Sequence, residues 1–236
     1  MKKTITVLML LTFLASCGDV IVEEPKNEPI PLGIVVTISS ISNEPEATGV
    51  TMLSNKKMFA SASTNVYVEE NGYWKLSANL NTPVYDLLAR NDSVFALTEI
   101  TTKKTGEKFA SNGSFYLPAG EVTWKKDESG KFKNLNRQIG IAQNSKGVQY
   151  RIKQNKVTVG DVTYDLPSDV EKYVGNKWVK LEGMAEQAKF KLNNIFIGKD
   201  DQRAYVTGEA GTFDSDNHFQ PSNSGKAPVL LLFGDL

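Results

Sequence analysis

The chain has 236 residues, 27 of them basic and 27 acidic, and 40% are apolar. A balance of zero speaks against the broad positive face that nucleic acid requires, while the apolar fraction suffices for an ordinary core. Cys17 and His218 are the only residues of their kinds, which excludes a disulfide framework and a multi-histidine zinc or iron centre.

From the N-terminus, Lys2 and Lys3 precede an apolar run over residues 5–14 that is too short to span a bilayer. It reads as a signal peptide. The run ends in Leu14-Ala15-Ser16-Cys17-Gly18, which resembles the lipobox of bacterial lipoproteins: an apolar residue, two small residues, then the cysteine that cleavage exposes. The resemblance implies that residues 1–16 are removed and that Cys17 carries lipid, palmitate included. Each buried methylene contributes about 0.8 kcal/mol to membrane binding, so several acyl chains anchor durably without a transmembrane helix. Residues 17–32, with Glu23, Glu24, Glu28 and three prolines, read as an extended tether. Loss of Lys2 and Lys3 leaves 25 basic against 27 acidic side chains in the processed chain.

Residues 33–236 carry an all-β pattern: short alternating or β-branched segments, each bounded by Asn, Gly, Asp or Ser. The clearest are 50–53, 57–62, 65–69 and 73–77, the last two joined by Asn71-Gly72, a pair that tolerates the positive φ of a type I′ hairpin. Helical character is confined to a turn over 167–173, where Ser168 and Glu171 have capping-box spacing, and to 182–189.

Trp74, Trp124 and Trp178 recur at separations of 50 and 54 residues, each entering a short basic and apolar strand. After each come a strand, a polar turn and another strand: 84–88 with 94–99, 138–142 with 148–152, and 189–197 with 204–209. A unit of about fifty residues approximates a four-stranded propeller blade, and about four would fit. The pattern resembles a degenerate Asp-box propeller repeat. Thr123 and Trp124 keep the end of that box, as do Gly175 and Trp178, but the acid that names it is missing or displaced. The fold expected is therefore an all-β, propeller-like domain of about four blades, with a β-sandwich or barrel, or a mixed α+β fold, as alternatives.

Side chains able to carry chemistry are few. His218 lies in the polar turn Asp214-Ser215-Asp216-Asn217-His218, whose oxygens could meet calcium, but neither the glycine nor the distal glutamate of an EF-hand follows. A solvated turn is the simpler reading, for Asp200-Asp201 also. Glu69, Glu70, Glu99 and Glu121 could supply the two carboxylates of glycoside hydrolysis, though none stands in a distinguishing motif. Tyr67, Tyr73, Trp74 and Tyr85 cluster in sequence; alternation assigns Tyr67 and Tyr85 to strands, leaving Tyr73 and Trp74 as ligand-contacting aromatics. No catalytic, cofactor or metal residue is assigned.

These readings combine into a lipid-anchored protein of the cell envelope, at the outer membrane or cell surface rather than the inner membrane, acting as a non-enzymatic binding or scaffold module for a protein or glycan. A carbohydrate-active enzyme on a propeller and a structural subunit of an envelope assembly are the alternatives. Replacing Cys17 by serine is expected to abolish incorporation of labelled palmitate and to leave the precursor unprocessed. Labelling that persists in the variant overturns the lipobox reading.

Overall fold

The computed structural model describes residues 35–181, 190–198, 200–222 and 225–234. The chain divides into two compact units between Leu32 and Gly33, and every described residue belongs to the second. The signal peptide, Cys17, the tether and the helical segment expected at 182–189 lie outside the described residues.

All regular structure in the described residues is β-strand. Strand β1 (Val35–Ser42) is followed by a first antiparallel sheet of β2 (Gly49–Met52), β3 (Met58–Ala62), β4 (Asn65–Glu70) and β5 (Tyr73–Asn79). Next come β6 (Asp86–Arg90), β7 (Ser93–Leu97), β8 (Glu99–Thr102), β9 (Lys108–Ser111), β10 (Phe115–Leu117), β11 (Lys125–Lys126) and β12 (Asn136–Gln138). They make two sheets, in the orders β11-β10-β7-β6 and β12-β9-β8. A further sheet contains β13 (Ile141–Gln143), β14 (Gln149–Val159), β15 (Val162–Val174) and β16 (Lys177–Lys180). The chain ends in β17 (Lys191–Ile197), β18 (Arg203–Glu209), the small hairpin β19 (Gly211–Phe213) with β20 (Phe219–Pro221), and β21 (Lys226–Phe233).

The arrangement is a five-bladed β-propeller. Innermost strands of successive sheets touch one another, β17 against β2, β2 against β6, and β13 against β17. The first described strand closes the last blade, β1 pairing along β21 to give the order β1-β21-β18-β17. Pairing of the first and last described strands within one blade closes the ring, as propellers do to protect their sheet edges.

The expected four blades are corrected to five, and a bent hairpin is the reason. Strand β7 runs through Thr98 into β8, and β9 runs through 112–114 into β10. One half of this hairpin completes the second blade (Phe115 opposite Ala96), and the other half joins β12 as a third, three-stranded blade (Glu99 opposite Ser111, Ala110 opposite Arg137). The sandwich and barrel alternatives fall with the same topology. The helical turn expected at 167–173 is also corrected, since those residues lie within β15. Ser168 makes no cap: its hydroxyl donates to Gln154 Oε1 (3.1 Å) and accepts from Leu192 N–H (3.0 Å). Pro167, which has no N–H for a ladder, sits where the β14/β15 register shifts.

Elsewhere the strands fall where alternation puts them. Asn71-Gly72 and Asn91-Asp92 carry positive φ at both positions, which meets the demand of tight hairpins on residues that tolerate it. The apolar core lies in layers between blades: Tyr150 and Val170 meet Ile195 and Leu230, Ile41 and Val229 meet Val50 and Ala60, and Phe59 and Val66 meet Leu87 and Val94.

Two of the three recurrent tryptophans join neighbouring blades. Trp74, on the outer strand of the first blade, donates its indole N–H to Ser39 on β1 at 3.0 Å. Trp124, beside the outer strand of the second blade, donates to Ser77 on β5 at 3.1 Å. Trp178 differs, lying 4.4 Å from the Arg151 guanidinium within its own blade.

At the hub, Arg137 of β12 reaches three inner strands. Its Nη1 donates to Val50 O (3.3 Å) and Leu87 O (3.1 Å), and its Nη2 donates to Ile195 O. Nη1 also meets Oδ1 of the fully buried Asp86 at 3.2 Å. Gly49 permits this convergence: a Cβ there would lie 2.5 Å from Asp86 Oδ1 and 2.7 Å from Asp86 Cα. Removing Arg137 leaves a buried carboxylate uncompensated and three carbonyls without their donor. Arg137→Met is therefore expected to cost about 3–5 kcal/mol, and adding Asp86→Asn should restore part of it. Urea unfolding of the single and double variants decides; equal stability of Arg137→Met and the parent would refute the hub.

Candidate functional site

Around the propeller axis, where four of the inner strands begin and β12 ends, the blades leave a cleft of about 730 Å3. Thr48 and Glu46 precede β2, Tyr85 precedes β6, Asn193 lies near the start of β17, and the turn from β12 to β13 supplies Gln138 and Gly140. This is within the volume range of small-ligand sites.

Local backbone irregularity aims the polar groups. A register shift between Leu192 and Asn194 leaves Asn193 unpaired with β18, as a bulge does when it re-aims a side chain. Asn193 Nδ2 donates to Glu46 Oε1 at 2.8 Å on the cleft side. The next residue, Asn194, is fully buried: its Oδ1 accepts from Gly140 N–H (2.9 Å) and its Nδ2 donates to Thr48 O (3.2 Å). Two consecutive asparagines thus serve opposite sides of one strand. Gly140 has φ +73, so the chain can turn from the third blade into the fourth.

Charge in the cleft is organised around Lys191. Its Nζ lies 2.8 Å from Asp165 Oδ2 and 2.7 Å from Glu209 Oε2. Lys156 approaches the other Asp165 oxygen at 3.3 Å. The bond from Lys191 holds the Asp165 carboxyl below its ordinary range against the effect of burial. Burial works against the Lys191 ammonium, but the bonds to Asp165 and Glu209 outweigh it and raise its pKa. Glu46 is the contrasting case. Its backbone bridges to Glu209, and its carboxyl is pushed up first by burial and then by the Glu209 charge, with Lys191 and Lys108 pulling it down. Two adjacent carboxyl groups are thereby driven into different environments.

The residues singled out from sequence lie elsewhere. Tyr73 stands in solvent, and Trp74 is half-buried in its contact with Ser39. Glu70 and Glu121 pair with exposed lysines, Lys75 (2.6 Å) and Lys125 (2.7 Å). Glu99 accepts from Asn112 and Glu69 from Gly72 N–H. Asp214, Asp216 and His218 do bring ligand atoms within 4.8 Å of one another. Asp214 already accepts from the N–H groups of Asp216 (3.0 Å) and His218 (2.9 Å), and the His218 ring stacks on Tyr164, as in a self-satisfied turn. Of the aromatics in the sequence cluster, Tyr85 lines the cleft. Sequence reasoning missed Glu46, Asn193, Lys191, Asp165 and Glu209, whose only local sign is the Asn193-Asn194 pair inside an apolar strand.

No family model matches the chain, and no curated protein matches it. Among solved structures, it is similar to a Thermus thermophilus protein described as an oxidoreductase (glucose dehydrogenase). The identity is 12%, with 84% of this chain and 100% of that one covered and a TM-score of 0.44. It is also similar to a glucose dehydrogenase (8% identity, 83% and 98% covered, TM-score 0.41). A third likeness is to a Trichoderma reesei carbohydrate-active enzyme of family AA12 (9% identity, 85% and 98% covered, TM-score 0.32). At these values the likenesses carry nothing about what this chain does, and the propeller assignment rests on its own sheet order.

Because the Glu46 pKa is raised above 4.5 in the folded protein, the native state holds that proton more tightly than the unfolded chain does. Its contribution to stability is present at low pH and is lost as pH rises through the folded value. Glu46→Gln should accordingly be more stable than the parent at pH 7, with the difference vanishing below pH 4.5. Denaturant melts at pH 4 and pH 7 measure this, and a glutamine variant less stable at pH 7 contradicts it.

Proposed function

We propose that this protein is a lipid-anchored module of the cell envelope, tethered through Cys17 at the outer membrane or cell surface, that binds a protein segment or a glycan in its axial cleft without turning it over. The cleft itself carries the reading. Its lining mixes amide and charged groups with the apolar side chains of Ile139, Ile141 and Ile152, the combination that orients a ligand. Asp165 and Glu209 are held by Lys191, which favours a fixed recognition surface over proton transfer. The near-zero charge agrees with a partner other than nucleic acid.

One observation favours the enzymatic alternative. Burial and the neighbouring Glu209 charge raise the pKa of Glu46 in the cleft, the kind of displacement that fits a carboxyl for proton transfer. The readings divide on one experiment: purified lipidated protein in detergent is titrated with envelope peptides and glycan fragments, and the mixtures are followed for product. Saturable binding that weakens at least ~10-fold in Asn193→Leu, with no product formed, supports the binding module. Product formation that Glu46→Ala abolishes, with a cooperative unfolding transition retained, replaces it with the enzyme.

A further inference from the structure

A tally of the charges lining the cleft leaves one of each sign uncommitted. Lys191 binds Asp165 and Glu209, and Lys156 also binds Asp165. Arg151 turns out of the cleft to Glu171, with Nη2 2.6 Å from Oε2 and Nε 2.7 Å from the same oxygen. Glu107 accepts from the Thr105 hydroxyl (2.9 Å) and lies 3.8 Å from Lys103. Among the described residues Glu46 has no cation at ion-pair distance, its carboxylate being met by the Asn193 amide alone. Lys108, exposed at the start of β9, has no acid at that distance among them either, and its charge reaches Glu46 only from farther off.

We propose that the cleft binds a zwitterion of the amino-acid or short-peptide class, with the ligand's ammonium group at Glu46 and its carboxylate at Lys108. This rests on the reading of the axial cleft as the ligand site and narrows what that site accepts. An anion alone would leave the half-buried Glu46 uncompensated beside Glu209, and a cation alone would leave the exposed Lys108 to water. A molecule bearing both charges completes the pairing that every other charged side chain of the cleft already has. Burial and the Glu209 charge push the Glu46 carboxyl up by more than Lys191 and Lys108, acting from beyond ion-pair distance, pull it down, so a cation in direct contact would still relieve it. The isoleucines of the lining suit methylene and Cα groups, and the Gln138 side-chain carbonyl offers an acceptor to a peptide N–H.

The test titrates the full-length lipidated protein in detergent at pH 7 with triglycine, N-acetyl-triglycine and triglycinamide, and in parallel with maltotriose. Triglycine should bind tightest. Blocking either end should weaken binding about tenfold or more, as loss of a charge-assisted hydrogen bond does. Glu46→Gln should erase the preference for the free amine while keeping that for the free carboxylate, and Lys108→Gln should do the reverse. Equal affinity for the three peptides, or preferences that survive both substitutions, overturns the proposal. Binding of maltotriose but of no peptide overturns it while leaving the cleft as a ligand site. Binding of neither removes both. Far-UV spectra and melts of the variants establish that any loss is not unfolding.

Discussion

The contact on which the propeller depends is made by Arg137 at the axis. Sheets meeting edge-on at a centre bring together backbone carbonyls whose own strands do not satisfy them, and a buried carbonyl without a donor is costly. One guanidinium, with five N–H groups in a fixed fork, answers carbonyls from three blades and the carboxylate of Asp86 at once. A lysine could not do this with a single point charge. The ion pair itself is not a large source of stability, because two desolvated charges give back most of what they gain. Its consequence is geometric: β2, β6, β12 and β17 must lie at fixed distances, and Gly49 must carry no side chain.

Away from the axis the blades hold by a different means. Apolar layers fill the space between sheets, and near the rim, where the sheets splay, an indole N–H from one blade reaches a serine of the blade before it, twice in the same manner. Tryptophan suits this position because it fills a wedge with its ring while its one donor finds a partner at the wet end. The recurrence in the sequence therefore had a structural cause, although the spacing of about fifty residues did not count blades. Bending of the β7–β10 hairpin let one stretch of chain serve two sheets.

The cleft follows from the hub. Holding the inner strands apart at the axis leaves a hollow ringed by the starts of β2, β6, β13 and β17 and the end of β12, and the bulge at Asn193 turns one asparagine into it while Asn194 ties the strand to Thr48 and Gly140. Lys191 then sets the electrostatics, binding Asp165 and Glu209, while the Glu46 carboxylate is met by the Asn193 amide. Proposals about a ligand, whether peptide or glycan, concern what completes this arrangement.

The amino-acid sequence by itself determined local matters. Period-two alternation placed most strands, and the Asn71-Gly72 pair placed a hairpin, because pleat and turn geometry act over a few residues. It also determined that no disulfide could hold the fold and that no histidine cluster could ligate a metal. Only the tertiary structure decided the number of blades, the conversion of 167–173 from an expected helical turn to strand, and the site. Ser168 reads as a cap in one dimension and becomes a bridge between Gln154 and Leu192 in three. The cleft residues come from positions 46, 108, 165, 191, 193 and 209, so no window of sequence holds more than a fragment of it. Charges that look alike along the chain become paired or unpaired only when closure of the propeller brings distant strands side by side.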